Sequence, residues 1–204
     1  MSAQKKRLLL FAKRPVPGKV KSRLANSIGE YAAAQIYNQL LFRNIREISN
    51  LRKIDRWVLS SNKSDEPWFH NKIKTLGWQT SYQSEGNIGG RMLEALTRFS
   101  KQGASTIVVG SDIADLSFRD IECGFDFLEA RNTCVLGPSD DGGYWLIGFN
   151  SVVPSVFEDI PWSTMFVLKH TLKKIKETQL KLKMLPVRTD IDDIHDLTNF
   201  LLSG

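Results

Sequence analysis

Cysteine is almost absent from this chain: Cys123 and Cys134 are the only two in 204 residues. Two cysteines without metal-ligand or redox spacing exclude a disulfide scaffold and a thiolate zinc site. Histidine is nearly as scarce, and His70, His170 and His195 stand at no useful spacing from another ligand. They read as ordinary surface or core residues. No serine or cysteine nucleophile constellation is recognisable. No apolar run approaches the roughly 20 residues that span a bilayer, so no membrane partner is expected. The N-terminus MSAQKKRLLLFAK is basic and then apolar for only five residues, Leu8 to Ala12. A secretory leader needs about 7–15 apolar residues, and the expected setting is the reducing cytoplasm. Acidic residues are also missing from the first 23 positions, which carry eight Lys and Arg. Beyond them, 20 cations face 22 acids, a net charge of −2. The positive charge is therefore local, and a field focused in one cleft suits a compact di- or triphosphate. Nucleic acid is not the expected partner, because the charge neither runs along a face nor interleaves with aromatic residues.

What is present is an alternation of strand and helix signals, which argues for an α/β sheet with helices on its faces. Arg7 to Ala12 reads as a short, buried, central strand. Glu30 to Ser49 carries Ala33, Ile36, Tyr37, Leu40, Leu41, Ile45 and Ile48 at spacings of three and four, a helical period. Asp55 to Ser60 is the second expected strand, Trp68 to Leu76 a short helix, and Trp78 to Gln83 the third strand. A helix from Ile88 to Gln102 precedes the buried strand Thr106 to Gly110. Ser117 caps the next helix, Thr133 to Leu136 and Tyr144 to Phe149 are strands, and a helix is expected from Pro161 through Lys176. Leu180, Leu182 and Met184 alternate with lysines as a half-buried edge strand. Asp193 opens a last helix through Leu202. No repeat or linker interrupts the chain, so residues 1–204 read as one domain.

In open α/β sheets the site lies at the carboxyl ends of the strands, and four loops fall there. The first, FAKRPVPGKVKSRL from Phe11 to Leu24, brings Lys13, Lys21 and Arg23 within reach of phosphate oxygens, with Gly18 for close backbone approach. It lacks the order of a Walker loop. The second, GSDIADL, sets Asp112 after a buried strand, where it suits Mg²⁺, an ion that takes one or two protein carboxylates and completes its shell with phosphates and water. Asp115 is a second ligand or a turn residue with equal claim. The third, SDDGGYWLIG, holds the adjacent carboxylates Asp140 and Asp141, with Asp141 the better candidate for substrate contact, or it is simply an Asp-Gly hairpin turn. Of Tyr144 and Trp145, one should pack and the other line the cleft. The fourth, RTDIDDIHDL, offers Asp190 or Asp192 as a second carboxylate to a metal, while Asp193 caps the last helix with Asp196 in its first turn. Phosphates, a divalent metal and no nucleophile point to transfer from an activated, phosphate-bearing donor, by positioning and charge neutralisation.

FAKRPVPGKVKSRL, NIGGRM, VVGSDIADL, GPSDDGGYWLIG, PWST and DIDDIHDL, in this order, resemble the DUF2064 family, glycosyltransferase-like members of the nucleotide-diphospho-sugar transferase superfamily with a GT-A fold. The likeness runs from about residue 7 to residue 202. The first loop is also similar to that of 2-phospholactate guanylyltransferase and, more distantly, molybdenum cofactor guanylyltransferase. The resemblance implies a three-layer α/β/α domain with a mixed sheet. It also implies a nucleotide over the N-terminal loop and Mg²⁺ or Mn²⁺ near Asp112; from the fourth loop, Asp192 is the expected second metal residue. Residues expected to bind nucleotide and phosphate are Ala12, Lys13, Pro17, Gly18, Lys21, Arg23, Arg91 and Ser111. Asp141, Lys21 and Arg23 are the expected catalytic set, with Asp141 as base. NIGG stands where the family more often shows Asp and Glu, and Ala114 stands for a usual Pro.

The function these residues lead to is a metal-dependent glycosyltransferase using a nucleoside diphosphate sugar and a small-molecule acceptor. The alternative is a nucleotidyltransferase joining an NTP to a phosphorylated small molecule with release of pyrophosphate. A non-catalytic nucleotide-binding protein is the third reading, for which NIGG speaks.

Overall fold

A computed structural model describes residues 5–203; Met1 to Gln4, at the start of the basic leader, and Gly204, at the end of the expected domain, lie outside the described residues. Seven strands form one sheet in the order β3-β2-β1-β4-β6-β5-β7. They are β1 (Lys6–Ala12), β2 (Asp55–Ser60), β3 (Gln79–Tyr82), β4 (Ser105–Gly110), β5 (Thr133–Pro138), β6 (Tyr144–Phe149) and β7 (Lys181–Met184). The helices are α1 (Ser22–Ile28), α2 (Glu30–Ser49), α3 (Glu66–Ile73), α4 (Ile88–Phe99), α5 (Phe118–Phe127), α6 (Val167–Lys176) and α7 (Ile194–Ser203). β1 pairs parallel with both β2 and β4, whereas β6 runs antiparallel to β4 and β5. The expected mixed sheet is therefore present, with β7 at its edge. Among the described residues no helix is long and apolar enough to cross a membrane.

Both faces of the sheet are covered, and its inner strand β1 is apolar at every position from Leu8 to Ala12. In β1, Leu8 and Leu10 point to a core shared with Tyr37, Leu41 and Ile45 of α2 and with Phe125 of α5. Leu9 and Phe11 point the other way, onto Met92, Leu96 and Phe99 of α4 and onto Ile175 of α6. The alternation of Cβ atoms along a strand thus builds two cores from one run of leucines.

Three segments differ from the sequence reading. Ser22–Ile28 is a helix where a loop was expected; only Leu24 of its seven residues is buried, so it carries no apolar period. The helix expected from Pro161 begins at Val167. Ser163 is in the left-handed region, and the Thr164 hydroxyl donates to the Pro161 carbonyl and accepts from the Phe166 amide, folding Pro161–Phe166 into turns. The expected Ile88 helix ends at Phe99 and is followed by a single 3₁₀ turn, Lys101–Gly103.

The unusual NIGG segment is the start of α4. Asn87 takes the N-cap role, its Oδ1 accepting the Gly90 amide at 2.8 Å, as an aspartate would. Gly89 is required, since a Cβ there would lie 2.0 Å from the Trp162 ring. Gly90 is not: it is exposed, and a Cβ would meet nothing nearer than Asn87 Oδ1 at 3.5 Å. Gly90→Ala should therefore stabilise the fold by up to about 1 kcal/mol, from helix propensity and a less flexible unfolded chain. Urea unfolding checks this; an unchanged or lowered midpoint would mean that α4 starts elsewhere.

Candidate active site

β1 and β4 lie side by side, but the chain leaves them in opposite directions, from β1 toward β2 on one side and from β4 toward β5 on the other. A crevice opens at such a switch point, beyond the carboxyl ends of the strands. Here it holds two cavities, of about 370 and 580 Å³, which share Phe11, Arg23, Ile88 and Gly110 in their walls.

The first cavity is built on the basic loop. Lys21 sits at the N-terminus of α1 with φ 49° and ψ 50°, a left-handed conformation for a residue with a side chain. That backbone turns its ammonium inward. The Lys21 side chain is 4% exposed, and its Nζ donates to Asp112 Oδ2 at 2.6 Å and to Asp192 Oδ1 at 2.7 Å. Arg23 holds the other oxygen, Asp192 Oδ2. Burial pulls the Lys21 ammonium down, but the two carboxylates outweigh it and hold its pKa above the ordinary value. Burial likewise pushes Asp192 up, and Lys21 and Arg23 overcome that push and hold it below the usual carboxylate range. The three loops carrying these residues are thus tied together by one cation between two carboxylates.

Asp112 is held from α2. Asn44, fully buried, donates from Nδ2 to the carbonyls of Ser111 at 3.1 Å and Ile113 at 2.9 Å. Tyr37 hydrogen-bonds Ser111 Oγ at 2.9 Å and accepts the Lys13 amide at 2.9 Å, joining the ends of β1 and β4. Burial, and then the charge of Asp112, push its phenol up to about 12, so it stays neutral. On the opposite wall Arg91 donates to Gln83 Oε1 at 2.9 Å, and its Nε is buried with no hydrogen-bond partner among the described residues. Burial lowers its pKa without discharging it.

Ala12, Lys13, Lys21, Arg23, Arg91, Ser111, Asp112 and Asp192 therefore all line the first cavity. Pro17 and Gly18 do not: Gly18 abuts the Glu30 carboxylate, at the start of α2. Arg14 also points elsewhere, over the Trp68 ring and toward Asp65. Asp115 is an ion-pair partner of Arg188 rather than a neighbour of Asp112 in the cavity wall. Asp193 caps α7 as expected, accepting the His195 and Asp196 amides. All three histidines are exposed.

Asp141 lines the second cavity, with Ser139, Tyr144, Trp145, Trp162 and Asp190. Its Oδ1 accepts Ser139 Oγ at 2.6 Å and the Gly143 amide at 2.8 Å, so it shapes the β5–β6 hairpin as well as facing the cleft. The loop is packed against α6: Gly142 has φ 86°, a Cβ on it would lie 2.2 Å from the Met165 carbonyl, and its own carbonyl accepts the Leu168 amide. Both Tyr144 and Trp145 line the cavity, although Trp145 is only 3% exposed. Asp190 Oδ1 is buried with no hydrogen-bond partner among the described residues. Burial first, and then the neighbouring charge of Asp112, push its pKa up to about 8.

Sequence reasoning missed Tyr37, Asn44 and Gln83. Tyr37 stands at a core position of a helical period, and nothing local separates a packing tyrosine from one that joins two strand ends. Asn44 did carry a signal, a polar side chain on the buried face of α2. Gln83 follows β3 directly, at the same end of the sheet as Ala12 and Gly110.

A divalent ion needs oxygen donors that converge. Among the described residues no three His, Cys, Asp or Glu side chains form a metal-binding group. Asp112 and Asp192 do converge on one cationic point, the Lys21 ammonium, and Asp190 adds an unpaired carboxylate oxygen. Two carboxylates beside a basic loop match what Mg²⁺ takes from protein.

The chain is similar to a candidate nucleotide-diphospho-sugar transferase from Desulfovibrio desulfuricans G20, with 29% identity and a TM-score of 0.86 over 95% of this chain and 85% of that one. The fold is shared with 4-diphosphocytidyl-2C-methyl-D-erythritol synthase from Anaerococcus prevotii DSM 20548 (10% identity, TM-score 0.64, 98% and 97% covered). It is shared also with a cytidylyltransferase from Leptospira borgpetersenii serovar Hardjo-bovis (strain JB197), at 13% identity and TM-score 0.62, with 95% and 84% covered. No curated protein matches. The model of DUF2064, described as an uncharacterized protein conserved in bacteria, matches residues 44–164, more than half of the chain and the part that carries α4, the Asp112 turn and the Asp141 hairpin. The chain belongs to the DUF2064 family.

Proposed function

We propose that this protein is a glycosyltransferase that moves a sugar from a nucleoside diphosphate sugar to a small-molecule acceptor, with Mg²⁺ or Mn²⁺. The observation that carries this reading is the Lys21–Asp112–Asp192 cluster at the switch point, with Lys13, Arg23 and Arg91 in the same cavity wall. The description of the D. desulfuricans relative supports the donor class.

The nucleotide occupies the first cavity with its phosphates toward the Lys13–Arg23 loop. Lys21 and Arg23 bind the phosphate oxygens and take up the charge that develops as the diphosphate leaves. Arg91 offers its unpaired Nε–H from the other wall. Asp112 and Asp192 hold the metal, with Asp190 beside them; when bound, the ion supplies neutralisation of the leaving diphosphate. The acceptor hydroxyl enters from the second cavity. Its oxygen bonds to the anomeric carbon while the bond from that carbon to the donor phosphate oxygen breaks, and the nucleoside diphosphate departs with the electron pair. Asp141 takes the acceptor proton on Oδ2, since both of its hydrogen bonds fall on Oδ1.

A second reading, nucleotidyl transfer from an NTP, is favoured by one feature. The exposed Lys13 and Lys19 add cations to the loop beyond Lys21 and Arg23, enough for a triphosphate. Product analysis separates the two. Each NDP-sugar and each NTP is incubated with a mixed acceptor pool and Mg²⁺ or Mn²⁺. Release of a nucleoside diphosphate from one NDP-sugar is expected; pyrophosphate release from an NTP would replace the first reading with the second. Neither product from any donor would leave a non-catalytic nucleotide-binding protein.

A further inference from the structure

The second cavity differs in chemistry from the first. At about 580 Å³ it has the size of a small-molecule site. Its walls include Ile88, Met92, Trp145, Trp162 and Val167, and its floor is the seam between β4 and β6. Trp162 is fixed in place across Gly89, where a Cβ would collide with its ring. That contact keeps the aromatic wall against the start of α4, which also lines the first cavity through Ile88 and Arg91.

The acidic and basic side chains lining this second cavity are Asp141, Asp190 and Arg23. Arg23 is already matched, because it pairs with Asp192 in the first cavity. Among the described residues Asp141 has no ion-pair partner, its hydrogen bonds coming from Ser139 and the Gly143 amide, and Asp190 Oδ1 is buried without a hydrogen-bond partner. An anionic ligand here meets like charge from the Asp141 carboxylate and again from the phosphates of a donor next to it.

We propose that the acceptor bound in this cavity is an uncharged alcohol with a compact apolar body, and that anionic, phosphorylated acceptors are excluded. The apolar body lies against Trp145, Trp162 and Met92, and the hydroxyl faces Asp141 and Asp190 as hydrogen-bond acceptors. The inference deepens the transferase reading and rests on it for the word acceptor, but the charge preference of the cavity is independent of any donor.

The test uses two probes with the same apolar body, benzyl alcohol and benzyl phosphate, titrated without nucleotide into ¹⁵N-labelled protein. The indole N–H signals of Trp145 and Trp162, assigned with Trp→Phe variants, report the cavity. Benzyl alcohol is expected to move both signals, with benzyl phosphate at least tenfold weaker. In Asp141→Asn and Asp141→Ser, measured separately so that one misfolded variant does not end the test, the preference should shrink to about threefold or less. Equal or tighter binding of benzyl phosphate would overturn the proposal, as would the absence of any shift at the two indoles. Failure of every nucleotide to bind would remove the transferase reading and leave the charge preference standing.

Discussion

Lys21→Met is expected to lower turnover by about 10²–10³-fold, the loss typical when a charge-stabilising donor is removed from an active site. Methionine keeps most of the volume and removes only the cation. Asp112 and Asp192 then face one another with Arg23 as the remaining partner. Removing one member of a buried pair costs about 3–5 kcal/mol; with side-chain exposures of 29% and 33% for the two aspartates, solvent screening reduces this to about 1–3 kcal/mol. The variant should also respond differently to metal. In the wild type the ammonium fills the space between the carboxylates, so Mg²⁺ without nucleotide should raise the melting temperature little. In Lys21→Met the vacated carboxylates should take the ion, and Mg²⁺ alone should recover part of the lost stability by mass action. Thermal unfolding with Mg²⁺ and with chelator measures both effects. An identical Mg²⁺ response in the two proteins would mean that Lys21 and the ion do not share a site.

Asp190→Asn is expected to change how stability depends on pH. With metal removed, the folded protein holds the Asp190 proton up to about pH 8 because burial, and then Asp112, disfavour its charge. The unfolded chain releases that proton near pH 4. Between those values the folded state binds more protons, so this group's contribution is complete below about pH 4 and is lost as pH rises through 8. Asparagine cannot ionise and removes the decline. The variant should match the wild type near pH 4 and exceed it by more than about 2 kcal/mol at pH 8, since each tenfold difference in proton affinity between the folded and unfolded chain is worth about 1.4 kcal/mol. Asp192 does not blur the comparison: its pKa is depressed, so its contribution is present above the ordinary carboxylate range and lost only as pH falls through its own, lower value. Lys21, with a raised pKa, loses its contribution only on the alkaline side, above the window. Parallel stability curves from pH 5 to 8 would show that Asp190 is not desolvated in the fold.

Most of the sheet was readable from sequence because its strands are short apolar runs between loop signals, and α2 because its period of three and four is unbroken over 20 residues. Helix α1 was not, since its neighbours leave only Leu24 to bury. The site was legible by residue and not by partnership. Lys21, Asp112 and Asp192 were each singled out, the lysine for phosphate and the aspartates for metal. Their mutual bonds join positions 91 and 171 residues apart, and no local spacing encodes that distance. In the free protein the lysine satisfies the very carboxylates assigned to the ion, so binding donor and metal requires the cluster to change partners. The Asp141 loop was open to two readings, hairpin turn or substrate contact, and one side chain serves the turn while lining the cavity.

The central claim is that the cavity built on Lys21, Arg91 and Asp112 binds the phosphates of a nucleotide. Calorimetric titration of the wild type with nucleoside di- and triphosphates in Mg²⁺ tests it most directly, alongside Lys21→Met and a distant control, Lys174→Met, whose lysine pairs on the surface with Asp159. The account predicts micromolar binding of at least one nucleotide by the wild type and by the control, weakened tenfold or more in Lys21→Met. Binding that all three proteins share equally, or no binding by any, would contradict it.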